Sequence, residues 1–310
     1  MRVLPLLQPP KAPRAMSLPL SPAIGTTAGV GRGLLQLMVA VLLFTMLDAL
    51  AKDLVARYSF VVVLWARFAV QLAIVALVLR HRFASHLRTT VPGLHLARGL
   101  TQLAAGACFF ASLAHIGLAE ATALADLNPV FITLGAALFL GERIGRHRIL
   151  AVLAAMAGAW MIVRPGTDAF SPAAVLPLLC AIFYAANALI TRAVGRSEPV
   201  ATVMVLSSLI GTALVTLALP FHFTGVALPD VPRFVLIGML GTAAQVLTIR
   251  AFSGTEASVL APFGYVGIVF ATLWGVIFFG EWPDGMTLAG ALVIVLAGLY
   301  VWHRETRVRR

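Results

Sequence analysis

VFITLGAALFLGE, residues 130–142, and VFATLWGVIFFGE, residues 269–281, stand 139 positions apart and share seven of their thirteen residues. Phe131/Phe270, Thr133/Thr272 and the closing Gly141–Glu142/Gly280–Glu281 are among the identities. The same offset lays FTMLDALAKDLVARYSFV (44–61) on FYAANALITRAVGRSEPV (183–200), retaining Phe, Ala–Leu, Val, Arg and Val. One offset recurring in two separate places makes the chain a duplication.

The material that was duplicated is apolar. Of 310 residues, 60% are hydrophobic and 11% charged, with a mean hydropathy of +0.96. A soluble domain is about 45–50% apolar and about a quarter charged, so the composition is that of a polytopic membrane protein. Cys108 and Cys180 lie inside apolar runs, which suits buried small residues rather than a disulfide framework. Residues 1–33 hold six prolines and four basic residues without the apolar core of a signal peptide. They read as a disordered cytoplasmic tail, with either Met1 or Met16 as the start. GVGRG at 29–33 has no strand before it and reads as linker rather than a phosphate loop.

A span needs about 20 apolar residues. Ten segments qualify, near 34–54, 61–79, 97–116, 119–140, 148–164, 172–191, 200–220, 233–250, 257–279 and 286–303. With the amino terminus inside, seventeen Lys and Arg fall in cytoplasmic segments, and three, Arg57, Arg164 and Arg233, fall outside. That asymmetry predicts both termini in the cytoplasm. It also accounts for the net charge of +11 without nucleic acid. Each copy then carries five spans, so the second copy enters the membrane upside down. The fold class is all-α and polytopic: ten transmembrane helices as two inverted five-helix repeats. Such repeats are characteristic of secondary transporters, whose site lies near the midplane between the halves.

AEATALADLNPVFITLGAALFLGERIG and EASVLAPFGYVGIVFATLWGVIFFGEWPD resemble the paired signatures of EamA-type carriers in the drug/metabolite transporter superfamily. A proline-bearing fourth span, a closing Gly–Glu and Arg67 within LWARF are shared features. The resemblance implies a first repeat at 34–165, a second at 172–304 and a basic tail at 305–310, in the inner membrane. It also implies a small-molecule solute, within a superfamily of amino-acid and metabolite exporters, nucleotide-sugar carriers and vitamin uptake systems. DALAK…LWARF is most similar to the branch with riboflavin and S-adenosylmethionine importers. The second copy departs from the first: Glu120 to Glu142 spans 22 residues, whereas Glu256 to Glu281 spans 25. The extra residues, near Ala261–Pro262–Phe263–Gly264, predict a ninth span that is locally unwound or longer.

Ionisable residues inside spans mark the candidate site. Each opposes insertion by about 2.5–3.5 kcal/mol at a helix centre, and such residues face a partner or a wet cavity. Asp48, Arg67 and Asp126 sit on three spans at a similar depth, about 9–10 Å from the outer ends at the helical rise. Arg67 is the expected partner of Asp48 or Asp126; Lys52 can reach Asp48 one turn away, although Lys52 and Asp53 read mainly as interfacial residues that snorkel. Under the 139 offset Asp48 becomes Asn187, Lys52 becomes Thr191, Arg67 becomes Leu206 and Asp126 becomes Tyr265. The second half keeps polarity and sheds charge, as suits a site that reads one solute.

Gln102 and Gln245 add amides that can donate and accept, and Asn128 precedes Pro129. Pro129, Pro262 and Gly264 are helix-break candidates, and broken helices at matching places in two halves point to a transporter site. Tyr184 and Tyr265 can stack on a flat ring; Trp65 is as well placed in an interfacial belt. Arg98 is expected at the cytoplasmic interface, and Glu142 and Glu281 as helix caps or partners of loop arginines. His115 stands near an interface.

These residues predict a secondary carrier for a small polar or zwitterionic metabolite, with riboflavin, S-adenosylmethionine and amino acids as candidates. Asp48 or Asp126 is placed to carry a coupling proton. A membrane-embedded enzyme using paired aspartates is the alternative, and a non-transporting sensor a third. No HExxH, G-x-S-x-G or clustered His and Cys is present, so neither metal nor cofactor is expected. Lipid and solute are the partners, and a homodimer is compatible with the pattern.

Overall fold

Inside lipid every backbone polar group must be satisfied within the chain, which leaves an apolar segment of this kind the helix. The computed structural model is helical throughout, with no strand, over the residues it describes: 27–140, 145–166, 171–194, 198–254 and 260–308. The tail to residue 26 (with Met16), Glu142 and Glu256 lie outside the described residues. The first half contains α1 (Thr27–Val55), α2 (Phe60–Leu79), α3 (Pro92–Leu113), α4 (Leu118–Ala125), α5 (Asn128–Leu140) and α6 (Arg146–Val163). The second contains α7 (Val175–Val194), α8 (Val200–Ala218), α9 (Val231–Gly254), α10 (Val266–Phe279) and α11 (Gly285–Val308).

Among the described residues, seven helices are long and apolar enough to cross a membrane, and Ile149–Val163 and Phe263–Phe279 are shorter apolar helices. The fourth apolar segment is two helices. Asp126 N–H donates to Thr122 O at 2.9 Å and ends α4, and Leu127 O accepts from Val130 N–H at 2.9 Å to begin α5. Pro129 cannot supply the N–H that a continuous helix requires there. The ninth segment opens with a 3₁₀ turn, Ala261–Tyr265, ahead of α10. α10 closes on Gly280 in the left-handed region, φ +66°, with Glu281 N–H donating to Gly275 O at 3.0 Å. A side chain is disfavoured in that conformation, which is why glycine precedes the glutamate.

The principal packing pairs come in twos. α1 lies on α9 and α3 on α7; α2 lies on α9 and α3 on α8; α5 lies on α7 and α1 on α10. α2–α8 and α6–α11 pair directly. Exchanging the two halves leaves this set of pairs unchanged. Glycines allow the closest approaches, the expected device where lipid supplies no hydrophobic drive between helices. A Cβ on Gly158 would lie 2.7 Å from Gly290 O, and one on Gly290 2.6 Å from Gly158 O. Phe68 and Phe110 are buried in the interior, while Leu77, Leu138, Trp160 and Leu217 are exposed around the outside.

Candidate interior polar site

α2 presents Arg67 and Gln71 on one face, a turn apart. Gln71, buried, donates from Nε2 to Oε1 of Gln245 on α9 at 3.0 Å. Arg67 is held between α3 and α9: a Cβ on Gly106 would be 3.4 Å from its Nη1, and one on Gly241 3.6 Å from its Nε. The guanidinium lies 5.8 Å from the ring centres of Phe68 and Phe110, within cation–π range.

Arg67 makes no ion pair or hydrogen bond among the described residues, and its Nε is buried without a partner. Arg67 therefore meets neither Asp48 nor Asp126 in a direct ion pair among the described residues, and Asp48 is its electrostatic neighbour. Common depth did not mean lateral contact, because this face of α2 turns to α3, α9 and the two rings. Asp126 is in turn an electrostatic neighbour of Asp48. Asp126 Oδ2 is likewise buried and unpartnered. An unsatisfied buried polar group costs about 1–3 kcal/mol, so two in one interior call for an explanation that packing does not supply.

Asp126 stands in the α4–α5 break, and Asn128 Nδ2 holds that break by donating to Ala125 O at 3.2 Å. Across from it, Tyr265 is an electrostatic neighbour of Asp126 and rests its hydroxyl on the Gly298 backbone of α11. Pro262 and Gly264 lie in the 3₁₀ turn beside it. The two breaks thus face each other through residues equivalent under the repeat. Tyr184 on α7 interacts with Asp126, Arg67 and Arg98, yet 55% of its surface is exposed.

Arg98 is not at an interface. It is 6% exposed, with Nε donating to Thr191 Oγ1 of α7 at 2.7 Å and Nη1 to Gln102 Oε1 at 3.5 Å and to Ser207 Oγ of α8. Asn187 Nδ2 donates to Arg98 O at 2.8 Å and to Thr101 Oγ1 at 3.3 Å. The expected place at the cytoplasmic interface fails because α3 starts at Pro92, a turn and a half earlier, and Arg98 is covered by α7 and α8. The joining of Arg98 to Thr191 and Ser207 is not legible in the sequence. The signal available was an arginine within an apolar run, which was read as terminal.

Lys52 does not turn back to Asp48. Its Nζ meets Glu281 Oε1 at 2.8 Å and donates to Ile116 O at 2.6 Å. Glu281 Oε2 accepts the N–H of Leu118, first residue of α4, at 3.0 Å, so this carboxylate caps a helix and pairs with a cation together. The long-range partner wins because α1 packs on α10, bringing the two helix ends together. Clefts of about 340 Å³ and 220 Å³ flank the pair; Gly117 and Glu281 line both, His115 the larger and Arg164 the smaller. Neither reaches the interior groups. Asp53, Arg57, Tyr58, Asp230 and Arg233 form an ion-pair and hydrogen-bond cluster at the same end. Trp65 Nε1 bonds Thr216 Oγ1 at 2.9 Å on α8, outside the interior group. No cluster of three metal-ligating side chains occurs among the described residues.

A family model described as the EamA-like transporter family matches this chain twice, at residues 31–164 and 171–302. The pseudopaline exporter CntI of Pseudomonas aeruginosa is 33% identical over 270 residues, 86% of this chain and 94% of that protein. A riboflavin transporter of Rhizobium johnstonii is 34% identical over 225 residues, 72% of this chain and 74% of its own length. An S-adenosylmethionine uptake transporter of Rickettsia bellii is 24% identical, covering 86% and 93%. A solved crystal structure at 23% identity aligns with a TM-score of 0.64 over 90% of this chain and 99% of the other, a likeness of fold.

Proposed function

The chain belongs to the EamA-like transporter family, and from that premise we propose that it is a secondary carrier moving a small polar or zwitterionic metabolite across the bacterial inner membrane by alternating access. The observation that carries the proposal is the interior group of Asp48, Arg67 and Asp126, ionisable residues without direct partners among the described residues, beside the ring of Tyr184. Ten spans in two oppositely oriented halves, with both termini cytoplasmic, complete the proposal. The paired packing of the helices and the double family match support it. The halves rock about the group, whose helix breaks lie at equivalent places. Asp126 or Asp48 takes the coupling proton. Relatives named as transporters or exporters favour a carrier over an enzyme.

The relatives' names and the resemblance supply the first solutes to try: riboflavin, S-adenosylmethionine and amino acids, with pseudopaline added. Purified protein in proteoliposomes preloaded with one unlabelled solute should accumulate its labelled form by counterflow, and Arg67→Ala should lose this. Chemical conversion of the solute without counterflow would contradict the carrier.

A further inference from the structure

We propose that the Lys52–Glu281 pair is a releasable pin that holds α4 as a wedge between two bodies of helices, so that parting the pair opens a solute mouth at that end of the molecule. That the mouth admits a solute rests on the carrier reading; the pin and its release do not.

Two side chains here serve three segments. Lys52 of α1 meets Glu281 Oε1 at 2.8 Å and donates to Ile116 O at 2.6 Å, while Glu281 Oε2 accepts the Leu118 N–H at 3.0 Å. The two backbone bonds flank Gly117, so the pair clasps the turn into α4 from either side. The clefts of about 340 Å³ and 220 Å³ share Gly117 and Glu281 in their linings. The pair is thus their common wall, and parting it joins them.

Two other ion pairs at this end stay inside packed helix pairs. Arg57, after α1, meets Asp230, before α9, at 2.9 Å, and α1 packs on α9. Arg164, after α6, meets Asp284, before α11, at 2.5 Å, and α6 packs on α11. Lys52 belongs to the first body and Glu281 adjoins the second, so their contact ties one body to the other. Between the bodies lies α4, which touches α1 on one side and α6 and α11 on the other.

α4 has eight residues, fewer than the roughly 12–15 that sustain a helix alone, so contacts at its ends and flanks decide its place. The pin holds one end. The other end is Asp126, about 12 Å away at the helical rise, where the break before Pro129 supplies a hinge. Lys52 and Glu281 are therefore positioning residues for Asp126. The repeat supplies a comparison. Thr191, equivalent to Lys52, accepts from Arg98 and donates to Asn187 O. It carries no charge to offer a carboxylate, so the pin belongs to one end alone.

Ala121 of α4 is fully buried in the cluster that holds Ala51 and Leu54 of α1 and Ala271 of α10, whereas Ala155 of α6 is buried in a separate one. Full-length protein lacking Cys108 and Cys180, with Ala121→Cys or Ala155→Cys, is treated with N-ethylmaleimide in nanodiscs and followed by mass spectrometry. Lys52→Met should speed labelling at 121 about tenfold, equivalent to about 1.4 kcal/mol, while Lys52→Arg should keep the slow rate. Labelling at 155 should stay slow throughout. Glu281→Gln keeps an oxygen to cap α4 and drops the charge, so it should act as Lys52→Met does, and it carries the test if Lys52→Met does not fold. An unchanged rate at 121, or a Lys52→Arg variant as fast as Lys52→Met, overturns the pin. Equal acceleration at 121 and 155 also overturns it, because the pair would then hold the whole fold rather than α4. Faster labelling at 121 in a protein without counterflow would count against the carrier and leave the pin standing; counterflow with an unchanged rate does the reverse.

Discussion

Arg67 Nε, Asp126 Oδ2 and both ring nitrogens of His95 are buried without partners among the described residues, and at the residue scale these unsatisfied atoms separate a working interior from a merely packed one. Asp126→Asn tests one of them: it keeps size and removes the ionisable group. Solute accumulation should lose its pH dependence, and a wild-type pH profile in flux assays would exclude Asp126 as the proton carrier. Glu198 tests ordinary linkage away from the membrane interior. Its Oε1 accepts from Thr90 N–H at 2.9 Å and Thr89 Oγ1 at 2.8 Å, and these bonds, the backbone one foremost, hold its carboxyl below the usual value. A depressed pKa stabilises the fold above the unfolded value of about 4.3 and is lost as pH falls through the folded one. Glu198→Gln should lower the melting temperature at pH 7 and flatten its fall on acidification, measured by thermal unfolding in detergent. Residue identity was readable for Asp48, Arg67 and Asp126 because charge inside an apolar run is conspicuous. The partners of Arg98 and Lys52 are not legible because Thr191, Ser207 and Glu281 are far away in sequence.

Breaks, caps and close approaches dominate at the scale of the element. Pro129 and the 261–265 turn interrupt two apolar segments where the sequence placed its proline pair, although α4 and α5 as separate helices follow from hydrogen bonds around Leu127 that no periodicity reveals. α6 and α11 touch through Gly158 and Gly290, where either Cβ would strike backbone. Backbone cannot move aside as a side chain can, so Gly158→Leu should cost about 1–3 kcal/mol, read as a lower melting temperature with Gly31→Leu, which meets open space, as control. The Lys52–Glu281 contact joins the end of α1 to the cap of α4, with side chains 11% and 33% exposed. Partial burial puts its coupling above that of a surface pair, roughly 1–2 kcal/mol in a double-mutant cycle with Lys52→Met and Glu281→Gln. A coupling near zero would mean that the two ends are held by packing alone.

For the whole molecule, the duplication is the most readable feature, since a repeat of 139 residues survives substitution better than any single contact. The helical class followed from hydropathy, and the paired packing from the repeat. The interior geometry did not, because which face of each helix turns inward depends on glycines such as Gly106 and Gly241, whose neighbours sequence cannot name. Alternating access requires that the equivalent ends of the two halves lie on opposite sides of the bilayer. A background lacking Cys108 and Cys180, with a single cysteine at Ala56 or at its repeat equivalent Gly195, puts this to measurement with an impermeant maleimide on intact cells. The account predicts labelling at 56 from outside and at 195 only after the membrane is opened; labelling of both from the same side would contradict it.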